Sequence, residues 1–261
     1  VAAEATTDLR VATLVYDVDY RHPVVLAKEI ATLDLVSGGR VEFGIGAGWM
    51  SNDYHTAGIS FDKAGTRIDR MIEAIDVIRG LWSGTPVDFR GEHYVVRDIT
   101  GTPNPHQPGG PPIIIGGGGK RVLTEAARRA DIVGLNASLH SGTVGPETAL
   151  SALGDRFLER RQWVEDAAGD RFPGIELQMN TFMTAVTKTT GEADEMFEGM
   201  APMFGLTVDQ ARTIPMVLAG TVEDVCDQLH RYRELYGTSY WVIHEGEVEA
   251  MAPVVAQVAG T

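Results

Sequence analysis

Cysteine occurs once in these 261 residues, at Cys226, so no internal disulfide framework holds the chain, and the usage fits a reducing cytoplasm. No apolar run reaches the roughly 18 residues that a membrane-spanning helix needs, so no membrane partner is expected. Basic residues are in short supply: 22 Lys and Arg face 36 Asp and Glu, a formal net charge of −14. That balance argues against nucleic acid or an anionic membrane held through bulk charge. The seven histidines show no HExxH pattern and no tight Cys/His spacing, so metal ligation is not expected. There is no GxSxG elbow, and Cys226 lies in a helical pattern remote from the strand ends, which leaves nucleophilic hydrolysis without support. No linker or compositional break separates two domains, and the length suits one α/β domain over 1–261. The opening VAAEATTD reads as the end of a helix already under way, without an initiator Met.

The most telling stretch that is present is Pro111 to Arg121, PPIIIGGGGKR. Three consecutive isoleucines read as a strand buried on both faces, the mark of a parallel sheet covered by helices. Gly116, Gly117, Gly118 and Gly119 then remove every side chain where the chain turns into a helix beginning near Lys120. Backbone N–H groups can approach a ligand there, and a helix start favours negative charge. This reads as an anion or phosphate cradle, against the plainer alternative of a tight turn that needs positive φ.

Elsewhere strand and helix alternate. Leu9 to Tyr16, Arg40 to Ile45, the PPIII run, Asp131 to Leu135, Ile175 to Thr187 and Ser239 to His244 read as strands. Helices follow at Val24 to Val36, Ala64 to Trp82, Arg121 to Ala130, Glu147 to Ala168, Thr189 to Ile214, Thr221 to Tyr236 and Val248 to Ala259. Pro86 to Ile99 alternates and turns at Arg90-Gly91, a surface hairpin. Met50 to Phe61 and Asn136 to Gly145 read as loops. Repeated βα units predict parallel strands with right-handed crossovers, in an open doubly wound sheet or a closed eight-stranded barrel. Length favours the barrel, with its active site at the strand ends: Thr13 to Asp19, Gly46 to Tyr54, Gly116 to Lys120, and Asn136 onward.

Each motif has a bland counterpart. Gly44, Gly46 and Gly48 follow a strand as in a dinucleotide fingerprint, but Trp49 stands at the third glycine and no clean helix follows. Small residues there would let a flat ring lie against the strand end, with Trp49 packing on it or plugging the barrel mouth. GGGGKR is not a Walker loop, because Ile114 and Arg121 stand where Gly and Ser or Thr are required. Lys120 meets a phosphate or is a solvated first-turn lysine. His55 and His140 are placed for chemistry and His244 more weakly, although each also suits a plain surface or core role. Arg156, Arg160 and Arg161 read as a solvated helix face rather than an anion site.

The run RHPVVLAKEIATLDLVSGGRVEFGIGAGW (Arg21 to Trp49), the helix TRIDRMIEAIDVIRGLW (Thr66 to Trp82) and PPIIIGGGGKR resemble the luciferase-like monooxygenase superfamily, most closely its coenzyme F420-dependent oxidoreductases. The resemblance implies a (β/α)8 TIM barrel with insertions after strands, of which the first two strands are absent here. It implies F420, or alternatively FMN, bound at the strand ends. Thr13, Leu14 and Val15 would then form the bend behind the ring, often built with a non-prolyl cis peptide. Gly46, Ala47, Gly48 and Trp49, with Asn52 and Tyr54, would border ring and tail, and Gly116 to Lys120 would hold the phosphate. The implied reaction is hydride transfer between deazaflavin and a small organic substrate. The alternatives are an FMN monooxygenase fed by a separate flavin reductase, and a non-catalytic barrel that binds flavin or deazaflavin; a flavin or F420 reductase is a candidate partner. A homodimer is the expected assembly. The catalytic position on the second strand is not assigned.

Overall fold

The structure, a computed structural model, describes residues 1–140 and 142–260. The chain packs as two compact units, Val1–Gly116 with Arg129–Ile132, and Gly117–Arg128 with Val133–Thr261. In the first unit the strands are β1 (Val11–Ala12), β2 (Tyr16–Asp17), β3 (Val41–Gly46), β4 (Val87–Arg90), β5 (Val95–Ile99) and most of β6 (Ile113–Gly117). Both β1 and β2 pair in parallel with β3, through Val11↔Val41 and Tyr16↔Ile45, and β3 pairs in parallel with β6 through Phe43↔Ile113. Every residue of β3 is buried, as fits an inner strand of a parallel ladder, and its one charged residue, Glu42, pairs with Arg10 at 3.0 Å. β4 and β5 form the expected antiparallel hairpin.

Helix Pro23–Ser37 starts with Pro at its first position and ends on Gly38, whose φ of 70° supplies the left-handed cap that favours glycine. Helix Ala64–Trp82 buries Met71, Ala74, Ile75, Val77, Ile78 and Leu81, the stripe its periodicity calls for. Met50 to Phe61 departs from the loop expectation, since Ser51–Ala57 is helical. Tyr54 is its sole buried residue, which explains why no apolar period was visible.

In the second unit β7 (Ile132–Leu135, entering from the first), β8 (Glu176–Asn180) and β11 (Thr238–Val242) run in order, and β9 (Met183–Val186) pairs in parallel with β10 (Val217–Gly220). The single strand expected over 175–187 is therefore two. Its first half pairs with β11 and its second with β10, and the partner changes where Thr181 N–H donates to Val242 O and Phe182 N–H to Met216 O. Glu147 to Ala168 is also divided, into Pro146–Ser151 and Gly154–Ala168. Thr189 to Ile214 becomes Thr190–Met203 and Val208–Arg212, parted at Gly205 with φ 68°. Within the expected loop over 136–145, Ser141 lies outside the described residues.

The α/β class with parallel strands is as expected. The closed eight-stranded barrel is not formed by either unit, for each ladder is open at its ends. A ring needs a partner for each outermost strand, and neither ladder provides one within its own unit.

Candidate functional site

The sequence-derived site residues fall in two groups along the chain. In the first unit, the chain between β1 and β2 leaves the ladder at Thr13, Leu14 and Val15, and the Leu14–Val15 peptide is cis. The Thr13 side chain takes over the missing rung: its hydroxyl donates to Gly44 O at 3.0 Å and accepts from Gly44 N–H at 3.1 Å. Leu14 and Val15 are exposed. A Cβ on Gly44 would collide with Thr13 O, one on Gly46 with the Val15 side chain, and one on Gly48 with the Tyr54 hydroxyl and Asp17. These glycines are thus required by protein packing, and Gly48 also by its φ of 67°, a conformation that favours glycine.

Asp17 ends β2, Asp19 lies in the 3-10 turn Val18–Tyr20, and Tyr54 reaches both from helix Ser51–Ala57. The Tyr54 oxygen stands 2.8 Å from Asp17 Oδ1 and 2.8 Å from Asp19 Oδ2. Arg70 Nη1 donates to Asp19 Oδ1 at 2.5 Å and its other branch pairs with Asp62. Burial pushes the Asp17 carboxyl above its ordinary value, against the Asp19 N–H and Tyr54 O–H that stabilise its charge. Burial and the two carboxylates likewise push the Tyr54 phenol up. Tyr54 is 1% exposed, and its hydroxyl is held by these two carboxylates.

Behind this turn lies Arg67, a buried arginine that sequence reasoning did not single out. Its Nε donates to Ala47 O at 2.9 Å, Nη2 to Gly48 O at 3.3 Å and Nη1 to Asp62 O, while the guanidinium stacks 3.9 Å from the Phe61 ring centroid. It fixes the Ala47–Gly48 backbone. Its only sequence signal was a charged residue in the first turn of a strongly apolar helix. Trp49 is half-buried, and Asn52 and His55 are exposed.

In the second unit, β6 delivers the glycine run to helix Lys120–Arg129. A Cβ on Gly117 would collide with Val122, and one on Gly118 with the Ala137–Ser138 backbone, whereas one on Gly119 would meet no atom within 4 Å. The open side of the run is therefore at Gly119. Lys120 Nζ stands 5.9 Å from the Trp163 ring centroid. Arg160 was expected on a solvated face, yet it is 4% exposed. Its Nε donates to Gly118 O at 3.0 Å and its Nη1 to Ser151 O at 2.7 Å. His140 is exposed, and His244 contacts Thr181 O through Nε2 at 3.1 Å. Among the described residues no group of His, Cys, Asp and Glu could hold a metal ion, and no helix is long and apolar enough to cross a membrane.

Residues 1–145 match the family described as luciferase-like monooxygenase. An F420-dependent glucose-6-phosphate dehydrogenase of Amycolatopsis mediterranei is 35% identical over 130 residues, 49% of this chain and 38% of that protein. An FMNH(2)-dependent dimethylsulfone monooxygenase of Pseudomonas putida is 30% identical over 109 residues, 42% of this chain and 30% of that one. Among solved structures, the coenzyme F420 dependent tetrahydromethanopterin reductase of Methanopyrus kandleri superposes with a TM-score of 0.75 at 18% identity, covering 98% of this chain and 84% of that chain. The chain spans about half or less of the length of the curated relatives it matches.

Proposed function

The chain belongs to the luciferase-like monooxygenase family, and from that premise we propose that it is an oxidoreductase using the deazaflavin coenzyme F420 for hydride transfer to or from a small organic substrate. The observation that carries the cofactor reading is the glycine run ending β6. Gly117 and Gly118 are packed by protein atoms, Gly119 has open space where a side chain would stand, and helix Lys120–Arg129 begins immediately after. Such a turn offers backbone N–H donors and a positive helix end to a phosphate. The residues fit a phosphorylated cofactor in that respect.

Gly116 to Lys120 would hold the phosphate. Thr13, Leu14, Val15, Gly46, Ala47, Gly48, Trp49 and Asn52 would border the ring, and Tyr54 would act from behind them by fixing Asp17 and Asp19. When bound, the deazaflavin supplies a carbon that gives or takes hydride. The chain's own work is to orient the ring and keep the turn around Gly48 rigid, which Arg67 does through two carbonyls. FMN is the second reading, favoured by the likeness to an FMNH(2)-dependent relative; it would make the protein a monooxygenase served by a separate reductase.

Titrating the protein with F420 and with FMN separates the two, and binding of FMN alone would sink the F420 reading. Replacing Gly119 by Leu should weaken binding of either cofactor while leaving the fold intact. Unchanged affinity in that variant would remove the phosphate cradle. Tight cofactor binding without turnover of carbonyl, enone or alcohol substrates would favour a non-catalytic flavin-binding protein.

A further inference from the structure

Helix Gly154–Ala168 carries three arginines, and two of them are ordinary. Arg156 pairs with Glu159 at 3.6 Å and Arg161 with Glu165 at 3.0 Å, both on a partly solvated face. Arg160 differs. It is buried, it lies 5.1 Å from the Phe157 ring centroid, and its donors go to two neutral backbone carbonyls, Gly118 O and Ser151 O. Among the described residues no carboxylate forms an ion pair with it. Glu159 and Asp155 act on it only through space and Arg156 opposes them, and a buried charge whose bonding partners are all neutral is costly and is relieved by a further counter-charge. Burial lowers its pKa to about 10, so it is still a cation at neutral pH.

The identity of one carbonyl gives the cation a direction. Gly118 O belongs to the same planar, trans peptide unit as Gly119 N–H, and in such a unit the two groups point opposite ways. A guanidinium holding Gly118 O therefore turns the Gly119 N–H away from itself and polarises it. Gly119 is also the position where a side chain would meet no protein atom. The second carbonyl ties Arg160 to Ser151, whose hydroxyl accepts from Ser138 N–H at 2.8 Å. The Ala137–Ser138 backbone is in turn the surface on which Gly118 packs. The cation, the peptide and its support form one fixed set.

We propose that Arg160 is the positioning residue of an anion site at this turn, aiming the Gly119 N–H at a phosphate and supplying the buried positive charge that the phosphate balances. The inference rests on the phosphate reading of the glycine run and adds to it a residue from a different helix. It also names the ligand chemistry: a phosphate ester, preferred over the same molecule without its phosphate.

The test compares FMN against riboflavin, which differ only in the phosphate, and F420 against its deazaflavin core, which lacks the phosphate and the acidic tail beyond it, by fluorescence titration. The wild type should prefer the phosphorylated member of at least one pair. Arg160→Met should lose about tenfold of that preference, the scale of one charge interaction across a partly buried loop. The affinity for the phosphate-free member should stay unchanged, which a merely structural role would not produce. Arg160→Lys, which keeps the charge without the fork, should retain part of the preference, and it serves if the Met variant does not fold. An undiminished preference in the variants would overturn the role of Arg160 while leaving the cradle standing. Absence of any preference in the wild type would overturn the cradle itself.

Discussion

Replacing Tyr54 by Phe is the sharpest perturbation of the strand-end cluster, because one hydroxyl is asked to serve two carboxyl groups. Its oxygen is 2.8 Å from both Asp17 Oδ1 and Asp19 Oδ2, yet it carries a single proton. It can donate that proton to only one of them at a time. Asp19 is already paired with Arg70, so Asp17 is the carboxyl group that depends on the phenol. Burial raises the Asp17 carboxyl above its ordinary value, and the Tyr54 O–H works against that rise by stabilising its charge. An acid with a raised folded pKa contributes stability that is full below its unfolded value and is lost as pH rises through the folded value. In Tyr54→Phe the ring packing on Phe61 remains, but ionised Asp17 loses a donor. The cost should be about 1–3 kcal/mol, that of leaving a buried polar group unpaired, and it should grow as pH rises from the acid side of 3.8 toward neutrality. Urea unfolding midpoints of both proteins over a pH series measure it. A difference below about 0.5 kcal/mol throughout, the level of an inconsequential surface change, would refute the role of the Tyr54 hydroxyl as a donor to Asp17.

Three further outcomes are expected. Glu73 is partly buried, which works against its charge, but the N–H groups of His93, Glu92 and Tyr94 hold its carboxyl below 4.5. Its contribution is therefore present above that value and lost as pH falls through the folded one, and Glu73→Gln should cost about 1–2 kcal/mol at neutral pH and less in acid, read by denaturation at both. Asp34, fully buried, accepts from Gln107 N–H and Nε2, each at 2.8 Å. Asp34→Asn turns one acceptor into a donor and should destabilise by about 1–3 kcal/mol, measured by the urea midpoint. Gly118→Ala should cost about 1–3 kcal/mol by overpacking, whereas Gly119→Ala should be near neutral; equal thermal midpoints for the two would contradict the geometry of the turn.

The parts of this fold that sequence made legible are those specified locally. Thr221 and Asp224 form a reciprocal cap and Gly237 closes the same helix in the left-handed conformation, all within one run of chain. The buried start of β6 likewise follows from three consecutive isoleucines. What sequence did not disclose was decided by distant partners. Thr181 and Phe182 divide a continuous apolar run because Val242 and Met216 compete for it, and Val217–Gly220 is too short to declare itself until β9 lies beside it. The same holds in the site. Gly46 and Gly48 were legible as places needing glycine, but their fillers, Val15, Tyr54 and Asp17, come from elsewhere. Arg160 shares its helix and residue type with Arg156 and Arg161, so only the carbonyls of Gly118 and Ser151 distinguish it.

The Thr13 hydroxyl has a consequence for which sequences this scaffold tolerates. Because it meets both the N–H and the C=O of Gly44, the alignment of this segment against β3 is written in a side chain as well as in alternating burial. Sliding the segment by one residue would bring Ala12 or Leu14 opposite Gly44, and neither can donate or accept. Ser keeps the coupling and Val, the nearest match in shape, abolishes it. The position behaves as a registration mark, open to one chemical feature and indifferent to hydrophobicity.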